Sequence, residues 1–259
     1  MARLEIKQIT VLRDNYVYMV NHRGSGTAAV IDPGIAGPVV AELDNLGWRV
    51  RKIFCTHQHA DQIGGNLDMK NSYNCEIFGP EAEANKIPGI TKGVKDGDNI
   101  SIGDAQGVVL SLPGHTIGHV GYHFPTAKAL FCGDVLSPLG CGKVLGGTVD
   151  LMWESLKKIK ALPGDTQVYC AHEHSERNYK FARKIDRENQ AIRQRGQTIR
   201  ENITAGTNIS VPFLLSEEIA MNPFLRADTP EMAEMVGMPE GTDPEDVFDE
   251  IRRRRDDVG

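Results

Sequence analysis

The most informative stretch of the sequence is Thr56-His57-Gln58-His59-Ala60-Asp61-Gln62-Ile63-Gly64-Gly65. Two histidines and an aspartate alternate along it. Residues two apart in an extended or loosely turned segment point the same way, so His57, His59 and Asp61 form one compact chelating face. Neutral imidazole and carboxylate suit Zn²⁺, Fe²⁺ and Mn²⁺. The stretch therefore predicts a metal site.

Three more candidate ligands lie further along the chain, each in a turn that follows an apolar strand. They are His115 in Pro113-Gly114-His115-Thr116, Asp134 in Cys132-Gly133-Asp134, and His172 in Ala171-His172. A lone histidine is more often a structural residue with a hydrogen-bond partner. Repeated placement at strand ends instead favours a shared metal centre, in which a carboxylate such as Asp134 can bridge two ions.

Secondary-structure patterns predict two parts of different composition. Short β-rich runs such as Tyr16–Val20 and Val50–Cys55 alternate with a few helices up to residue 174. After residue 174 the chain is rich in Arg, Lys, Glu and Gln at helical spacing, with further helices expected at Pro230–Val236 and Pro244–Arg255. We therefore expect a mixed α/β metal-binding domain over residues 1–174 and a helical, substrate-binding domain over residues 175–259.

Composition excludes several classes of protein. The 259 residues are 40% hydrophobic and 25% charged, which is enough to bury a core and excludes a disordered chain. The net charge of −6 argues against nucleic acid as a partner, and no apolar run approaches the roughly 18 residues of a membrane span. The five cysteines form no CxxC pair, and no apolar leader is evident. We expect a cytoplasmic protein with reduced thiols.

These motifs resemble a known family. Residues 56–65 are similar to the THxHxDHxGG signature of the metallo-β-lactamase superfamily, and the segments around His115, Asp134 and His172 match it in order. Within the superfamily the chain is most similar to glyoxalase II, the hydroxyacylglutathione hydrolases. That similarity rests on the segments 113–119, 140–143 and 222–226. The resemblance implies an α/β (α+β) fold, an αββα sandwich with a C-terminal helical domain.

The resemblance also implies a ligand set. The positions matching His57, His59 and His115 hold a first ion in that family. Those matching Asp61, the residue after it and His172 hold a second, and the position of Asp134 bridges both. The residue after Asp61 should be histidine but is Gln62, whose amide oxygen is a weaker ligand for Zn²⁺ than imidazole nitrogen. We therefore expect one tight site for Zn²⁺ (or Fe or Mn) and a weaker second site.

The expected substrate contacts also depart from the family pattern. Leu145 stands where an aromatic residue should contact glutathione, and His174 stands where tyrosine is common. Lys143 is retained and can pair with a substrate carboxylate. Arg252 and Arg255 align with the basic pair that holds the glutathione glycine carboxylate. The competing interpretation of this arginine run is that it complements the dipole at the end of a helix.

The sequence thus predicts a metal-dependent thioester hydrolase. Its substrate would be S-D-lactoylglutathione or a related acyl-glutathione, attacked by hydroxide on the metal that Asp61 and Asp134 orient. One alternative is a mononuclear iron persulfide dioxygenase or another metallohydrolase of the same fold, with His57, His59 and Asp134 as a facial triad that His115 could join. A third is a non-catalytic relative. Oxygen uptake with glutathione persulfide and metal analysis would separate these possibilities.

Overall fold

Two six-stranded β-sheets form the centre of the structure, a computed structural model that describes residues 4–207 and 210–257. The strands are β1 (Leu4–Val11), β2 (Asn15–His22), β3 (Thr27–Ile31), β4 (Arg49–Phe54), β5 (Glu76–Pro80), β6 (Lys92–Val94), β7 (Asn99–Ile102), β8 (Ala105–Ser111), β9 (Val120–Phe124), β10 (Ala129–Gly133), β11 (Leu136–Ser137), β12 (Gly140–Cys141), β13 (Gln167–Cys170) and β14 (Phe213–Leu214). The helices are α1 (Gly37–Leu46), α2 (Ala60–Ile63), α3 (Asn66–Tyr73), α4 (Val149–Lys160), α5 (Ser175–Ile185), α6 (Gln190–Thr204), α7 (Leu215–Met221), α8 (Pro230–Met235) and α9 (Pro244–Asp256). Two 3₁₀ turns cover Glu81–Lys86 and Pro125–Ala127.

Both sheets mix parallel and antiparallel pairing. The first has the order β1-β2-β3-β4-β5-β6, with parallel pairing from β3 onward. The second has the order β14-β13-β10-β9-β8-β7, and its single parallel pair is β10 with β13. Because β10 and β13 are parallel, the chain leaves both at the same edge of the sheet, which brings the segments that follow them together.

Strand β2 shows why the sheets are layered. Every residue of Asn15–His22 is buried. Tyr16, Tyr18 and Val20 face the core between the sheets, whereas Val17 and Met19 pack on the other side with residues of α1 and α3. Successive side chains of a strand point to opposite faces, so a strand whose middle residues, 16–20, are all apolar must be covered on both faces. The predicted αββα arrangement is confirmed.

The sequence pattern identified most of these elements. The predicted strand Val50–Cys55 is observed as Arg49–Phe54, and the predicted helix Pro244–Arg255 as Pro244–Asp256. The sequence pattern does not predict several of the short elements, among them α2, α3, β6 and β14. Strands of two or three residues carry too little periodicity to be recognised. Over the described ranges, no helix is both long and apolar enough to cross a bilayer.

The helical segment after β13 packs on the sheets through aromatic side chains. Trp153 of α4 stacks on Phe248 of α9 with ring centroids 5.6 Å apart, and Phe248 also contacts Phe224. Asp243 caps α9 by accepting a hydrogen bond from the Glu245 amide. This packing fixes the arginine-rich end of α9 against the turn at Cys141.

Replacing Phe248 with alanine should destabilise the protein by about 3–5 kcal/mol, because its fully buried ring would leave a cavity that the surrounding side chains only partly fill. Urea unfolding followed by circular dichroism measures the loss. Phe248→Leu, which keeps most of the volume, should cost less than half as much. A loss below about 1 kcal/mol for the alanine variant would contradict the packing role.

Candidate metal centre

Loops from both sheets bring the predicted ligands to one place. His57 and His59 follow β4, and Asp61 and Gln62 lie in α2 directly after them. The other three ligand positions each follow a strand, and these are His115 after β8, Asp134 after β10 and His172 after β13. The two layers therefore contribute jointly, and the cluster exists only when the sheets are packed on each other.

The three imidazoles of the predicted first site converge. His57 Nε2 and His115 Nε2 each lie 3.0 Å from His59 Nδ1. The far nitrogen of His115 lies 2.8 Å from the Lys143 carbonyl oxygen, which can only accept, so His115 Nδ1 carries the proton and Nε2 presents a lone pair. Three ring nitrogens at this separation are close enough to share one cation.

A buried carboxylate fixes the tautomer of His57. Asp32 accepts hydrogen bonds from the Thr56 amide at 2.7 Å and from Thr56 Oγ1 at 2.8 Å. Because the Thr56 hydroxyl donates its hydrogen to Asp32, it can only accept a hydrogen bond from His57 Nδ1, which lies 3.1 Å away. His57 Nδ1 therefore carries the proton, and His57 Nε2 presents a lone pair. Burial raises the pKa of Asp32 to about 7, although the Thr56 bonds oppose this. Asp32 thus holds the segment that carries His57 through two hydrogen bonds to Thr56.

The donor set fits one divalent ion. Asp134 Oδ2 is buried, lies 3.6 Å from His57 Nε2 and has no hydrogen-bond partner among the described residues. Burial lowers the pKa of His57 and, less strongly, that of His59, so both rings are neutral at physiological pH, as metal ligation requires. Three imidazole nitrogens and one carboxylate oxygen match the chemistry of Zn²⁺ or Fe²⁺ sites.

The predicted second set is also assembled, but its contacts differ. His172 Nε2 lies 3.4 Å from Asp61 Oδ2 and 3.3 Å from Asp134 Oδ1, while its Nδ1 lies 3.2 Å from Asp14 Oδ1. Burial alone would lower the pKa of His172, but the Asp61 hydrogen bond and the nearby carboxylates raise it to about 9. The same hydrogen bond holds the pKa of Asp61 well below its usual range. The buried Gln62 side chain completes this group, with Nε2 3.2 Å from His172 Nε2.

A second group of possible ligands adjoins the centre. The ring of His174 stacks on that of His172 with centroids 5.2 Å apart, and His174 Nε2 lies 3.4 Å from Asp14 Oδ2. His172 and His174 therefore share the carboxylate of Asp14, and the three residues form a group that could hold a metal ion. Asp14 orients both imidazoles.

Two positions close to Asp134 require glycine, because the backbone there leaves no room for a side chain or adopts a left-handed conformation. A Cβ at Gly142 would lie 1.8 Å from the Asp134 carbonyl oxygen. Gly133, immediately before Asp134, has φ +53°, a conformation that side chains disfavour. These two glycines let β10 and the turn after it converge on the ligands.

The substrate residues predicted from the sequence line a cleft at the metal cluster. The cavity measures about 280 Å³. Its walls are His59, Asp61, His115, Asp134, Cys141, Gly142, Lys143, Leu145, His172, His174, Arg177, Asn178, Arg252 and Arg255. Leu145, at the position expected to be aromatic, is 63% exposed. The ligand end of the cleft and its basic end are thus continuous.

The two aligned arginines have different partners. Arg252 pairs with Asp256 at 2.8 Å and also reaches the carbonyl oxygens of Cys141 and Gly142. Arg255 is only 8% exposed and donates to Asn178 Oδ1 at 3.4 Å. Within the described residues, no carboxylate oxygen lies within 4.0 Å of Arg255, so its charge is available to a bound anion.

Sequence reasoning missed a buried carboxylate that joins two ligand loops. Glu83 is 1% exposed and accepts hydrogen bonds from the Gln58 amide and the Gly118 amide, each at 2.9 Å. Gln58 lies between His57 and His59, and Gly118 follows His115. The partners of Glu83 are backbone amides, which every residue except proline has, so the sequence pattern could not identify this contact.

Two further residues support the cluster. Asn15, the first residue of β2, donates from Nδ2 to Asp61 Oδ2 at 2.9 Å, a contact that the sequence pattern did not suggest. His119 is fully buried, stacks on His57 with centroids 4.8 Å apart and accepts from the Asp134 amide at 3.2 Å. His119 therefore contacts two of the ligand residues on the side away from the cleft.

Fold and site together define a metallo-β-lactamase-type metalloprotein. Residues 11–172 match the metallo-β-lactamase superfamily, and residues 173–258 match the C-terminal region of hydroxyacylglutathione hydrolases. The chain is 46% identical to the hydroxyacylglutathione hydrolase of Methylococcus capsulatus, with 98% of each chain covered. It is 44% identical to that of Rhodospirillum rubrum, with 99% of each covered. The chain belongs to the hydroxyacylglutathione hydrolase family.

Solved structures agree with the fold. A B3 metallo-β-lactamase, BLEG-1, superposes with a TM-score of 0.65 at 21% identity, covering 85% of this chain and 99% of that one. ETHE1 from Myxococcus xanthus gives 0.60 at 22% identity, covering 84% and 96%. At these identities the likeness concerns the fold alone.

Glu83→Gln should weaken zinc binding about 10- to 100-fold. The glutamine has only one side-chain oxygen, so either the Gln58 amide or the Gly118 amide would face an NH₂ group and lose its hydrogen bond. Competition with a chromogenic chelator measures the affinity. Glu218→Gln is the matched control, since Glu218 is equally buried and also accepts a backbone amide, that of Leu139, outside the ligand loops. Equal affinity in Glu83→Gln and the unaltered protein would refute this role.

Proposed function

We propose that this protein hydrolyses acyl-glutathione thioesters, with S-D-lactoylglutathione as the first candidate substrate. One observation carries the proposal: a single cleft joins a cluster of metal-ligating side chains to the buried guanidinium of Arg255, which has no carboxylate partner among the residues that the structure describes. The family membership supports it, because the curated relatives are named hydroxyacylglutathione hydrolases.

In this proposal His57, His59, His115 and Asp134 hold the tight ion. A divalent ion at that position lowers the pKa of water to near neutrality and polarises a carbonyl group. The chain supplies the orientation: the Asp134 and Asp61 carboxylates accept hydrogens from the attacking water and aim its lone pair at the thioester carbon. Asn15 keeps Asp61 in place for that task.

The remaining cleft residues bind the thiol carrier. We propose that Arg255 receives a glutathione carboxylate, and that Arg252 holds the turn at Cys141 and Gly142 against α9 while adding positive charge. Lys143 offers a second cation. His174 and Leu145 form the wall on which the family pattern expects aromatic rings. A thiolate leaves readily near neutral pH, so the reaction needs no dedicated acid.

The domain and location assignments are part of the same proposal. Residues 1–174 would carry the metal chemistry, and residues 175–259 would contribute Arg252 and Arg255 to substrate binding. A cytoplasmic location is supported by the five cysteines, all of which are free thiols in the structure. The small acyl-thiol is the partner proposed, with no role for nucleic acid or membrane.

The metal-reconstituted protein should hydrolyse S-D-lactoylglutathione, and chelation of the metal should abolish turnover. Loss of the ultraviolet absorbance of the thioester bond follows the reaction. Absence of turnover in metal-loaded protein would contradict the proposal. Oxygen uptake with glutathione persulfide would then favour a dioxygenase, and inactivity toward both would favour a non-catalytic relative.

Arg255→Met should raise KM for the glutathione thioester about 10-fold or more while changing kcat little, because it removes a charge that binds the carrier rather than the reacting bond. Steady-state kinetics and metal content would be measured together. Arg253→Met is the matched control: Arg253 is exposed and pairs with Glu250 and Asp257, away from the cleft. An equal rise in both variants would remove Arg255 from the substrate site.

A further inference from the structure

The three side chains at the second metal position have the spacing of a metal site, but one of the three atoms has no lone pair for a cation. Gln62 Nε2, Asp61 Oδ2 and His172 Nε2 lie 3.2–3.4 Å from one another. Atoms bound to one ion at about 2.0–2.2 Å are separated by roughly this much. The corner at Gln62, however, is an amide NH₂, which offers hydrogens and has no free lone pair for a cation.

The hydrogens of Gln62 meet an acceptor that a second ion would need. Gln62 Nε2 lies 3.3 Å from Asp61 Oδ2, and Asn15 Nδ2 donates to that same oxygen at 2.9 Å. Two amide groups thus satisfy the carboxylate oxygen that faces His172. A cation entering there would have to displace the Gln62 donor from Asp61.

Turning the amide over does not open the site without loss. Gln62 is fully buried, and its Oε1 has no hydrogen-bond partner among the described residues. A flip would direct Oε1 at the ion position but would place NH₂ where Oε1 now lies. A buried donor without a partner is less well tolerated than a buried carbonyl oxygen without one. In the ion-free arrangement a flip would also set Oε1 against the Asp61 carboxylate.

We propose that this chain is a one-ion member of its family, in which the Gln62 amide fills the third corner of the second site and closes it to metal. The first site is unaffected, because its four donor atoms, on His57, His59, His115 and Asp134, do not include Gln62. Asp61 and His172 remain in place, held by hydrogen bonds instead of a cation. The inference rests on the proposed function only for the identity of the first site.

Metal content tests the inference directly. Protein loaded with excess Zn²⁺ and then desalted should retain one ion per chain, measured by mass spectrometry of the dissolved metal. Gln62→His, which restores a ring nitrogen, should retain two. Gln62→Met is the matched control: it removes the amide without adding a ligand of comparable strength, and it should retain one. Circular dichroism melts establish that each variant is folded.

Titration with Co²⁺ gives a second readout that does not depend on activity. The visible absorption of the unaltered protein should saturate at one equivalent, whereas that of Gln62→His should continue to rise to two. Two tightly held ions in the unaltered protein overturn the inference, whether the second is bound at Asp61 or by Asp14 and His174. A folded Gln62→His variant that still holds one ion overturns it as well.

Hydrolysis of S-D-lactoylglutathione by the same samples separates this inference from the proposed function. One ion without turnover would leave the inference standing and refute the function. Two ions with turnover would do the reverse. If both are right, activity of the unaltered protein saturates at one equivalent of Zn²⁺, and a second equivalent adds nothing.

Discussion

The convergence of His57 Nε2 and His115 Nε2 on His59 Nδ1, each at 3.0 Å, is the constraint on which the rest of the structure depends. Three neutral imidazoles can present their lone pairs to one cation only if their rings are held in orientation by neighbouring groups. His57 is fixed through Thr56 and Asp32, and His115 through the carbonyl of Lys143. Those supports come from different sheets, so the site and the sandwich stabilise each other.

The metal cluster could be predicted because metal ligands are restricted to a few residue types, which the sequence shows directly. Histidines and aspartates at strand ends are rare enough to be informative, and the structure brings His57, His59, His115 and Asp134 together. What could not be predicted are contacts made through the backbone. Glu83 binds two amides, and a pattern of side chains contains no record of an amide's partner. Short strands such as β6 and β14 were missed for the related reason that two or three residues show no period.

Departures from a family pattern require the structure for their interpretation. From sequence, Gln62 suggested a weak ligand. In the structure its amide nitrogen donates to Asp61, and its oxygen has no hydrogen-bond partner among the described residues, an arrangement that the residue type alone does not reveal. The arginines of α9 were ambiguous between a helix-dipole effect and a substrate contact. Arg252 pairs with Asp256, whereas Arg255 has no acidic partner among the described residues, so the structure distinguishes two arginines that the sequence left equivalent.

One hydrogen bond joins the two ends of the cleft. His115 contacts the carbonyl oxygen of Lys143, the residue whose ammonium lines the substrate end. A substrate that shifts this turn must also shift the support of a metal ligand, and an ion that draws His115 inward must also order the turn. If the turn moves when either ligand binds, the two equilibria are linked, and each ligand changes the affinity of the other by the same factor. The turn at Lys143 is thus a single piece of chain that supports a metal-ligating ring and also lines the cleft.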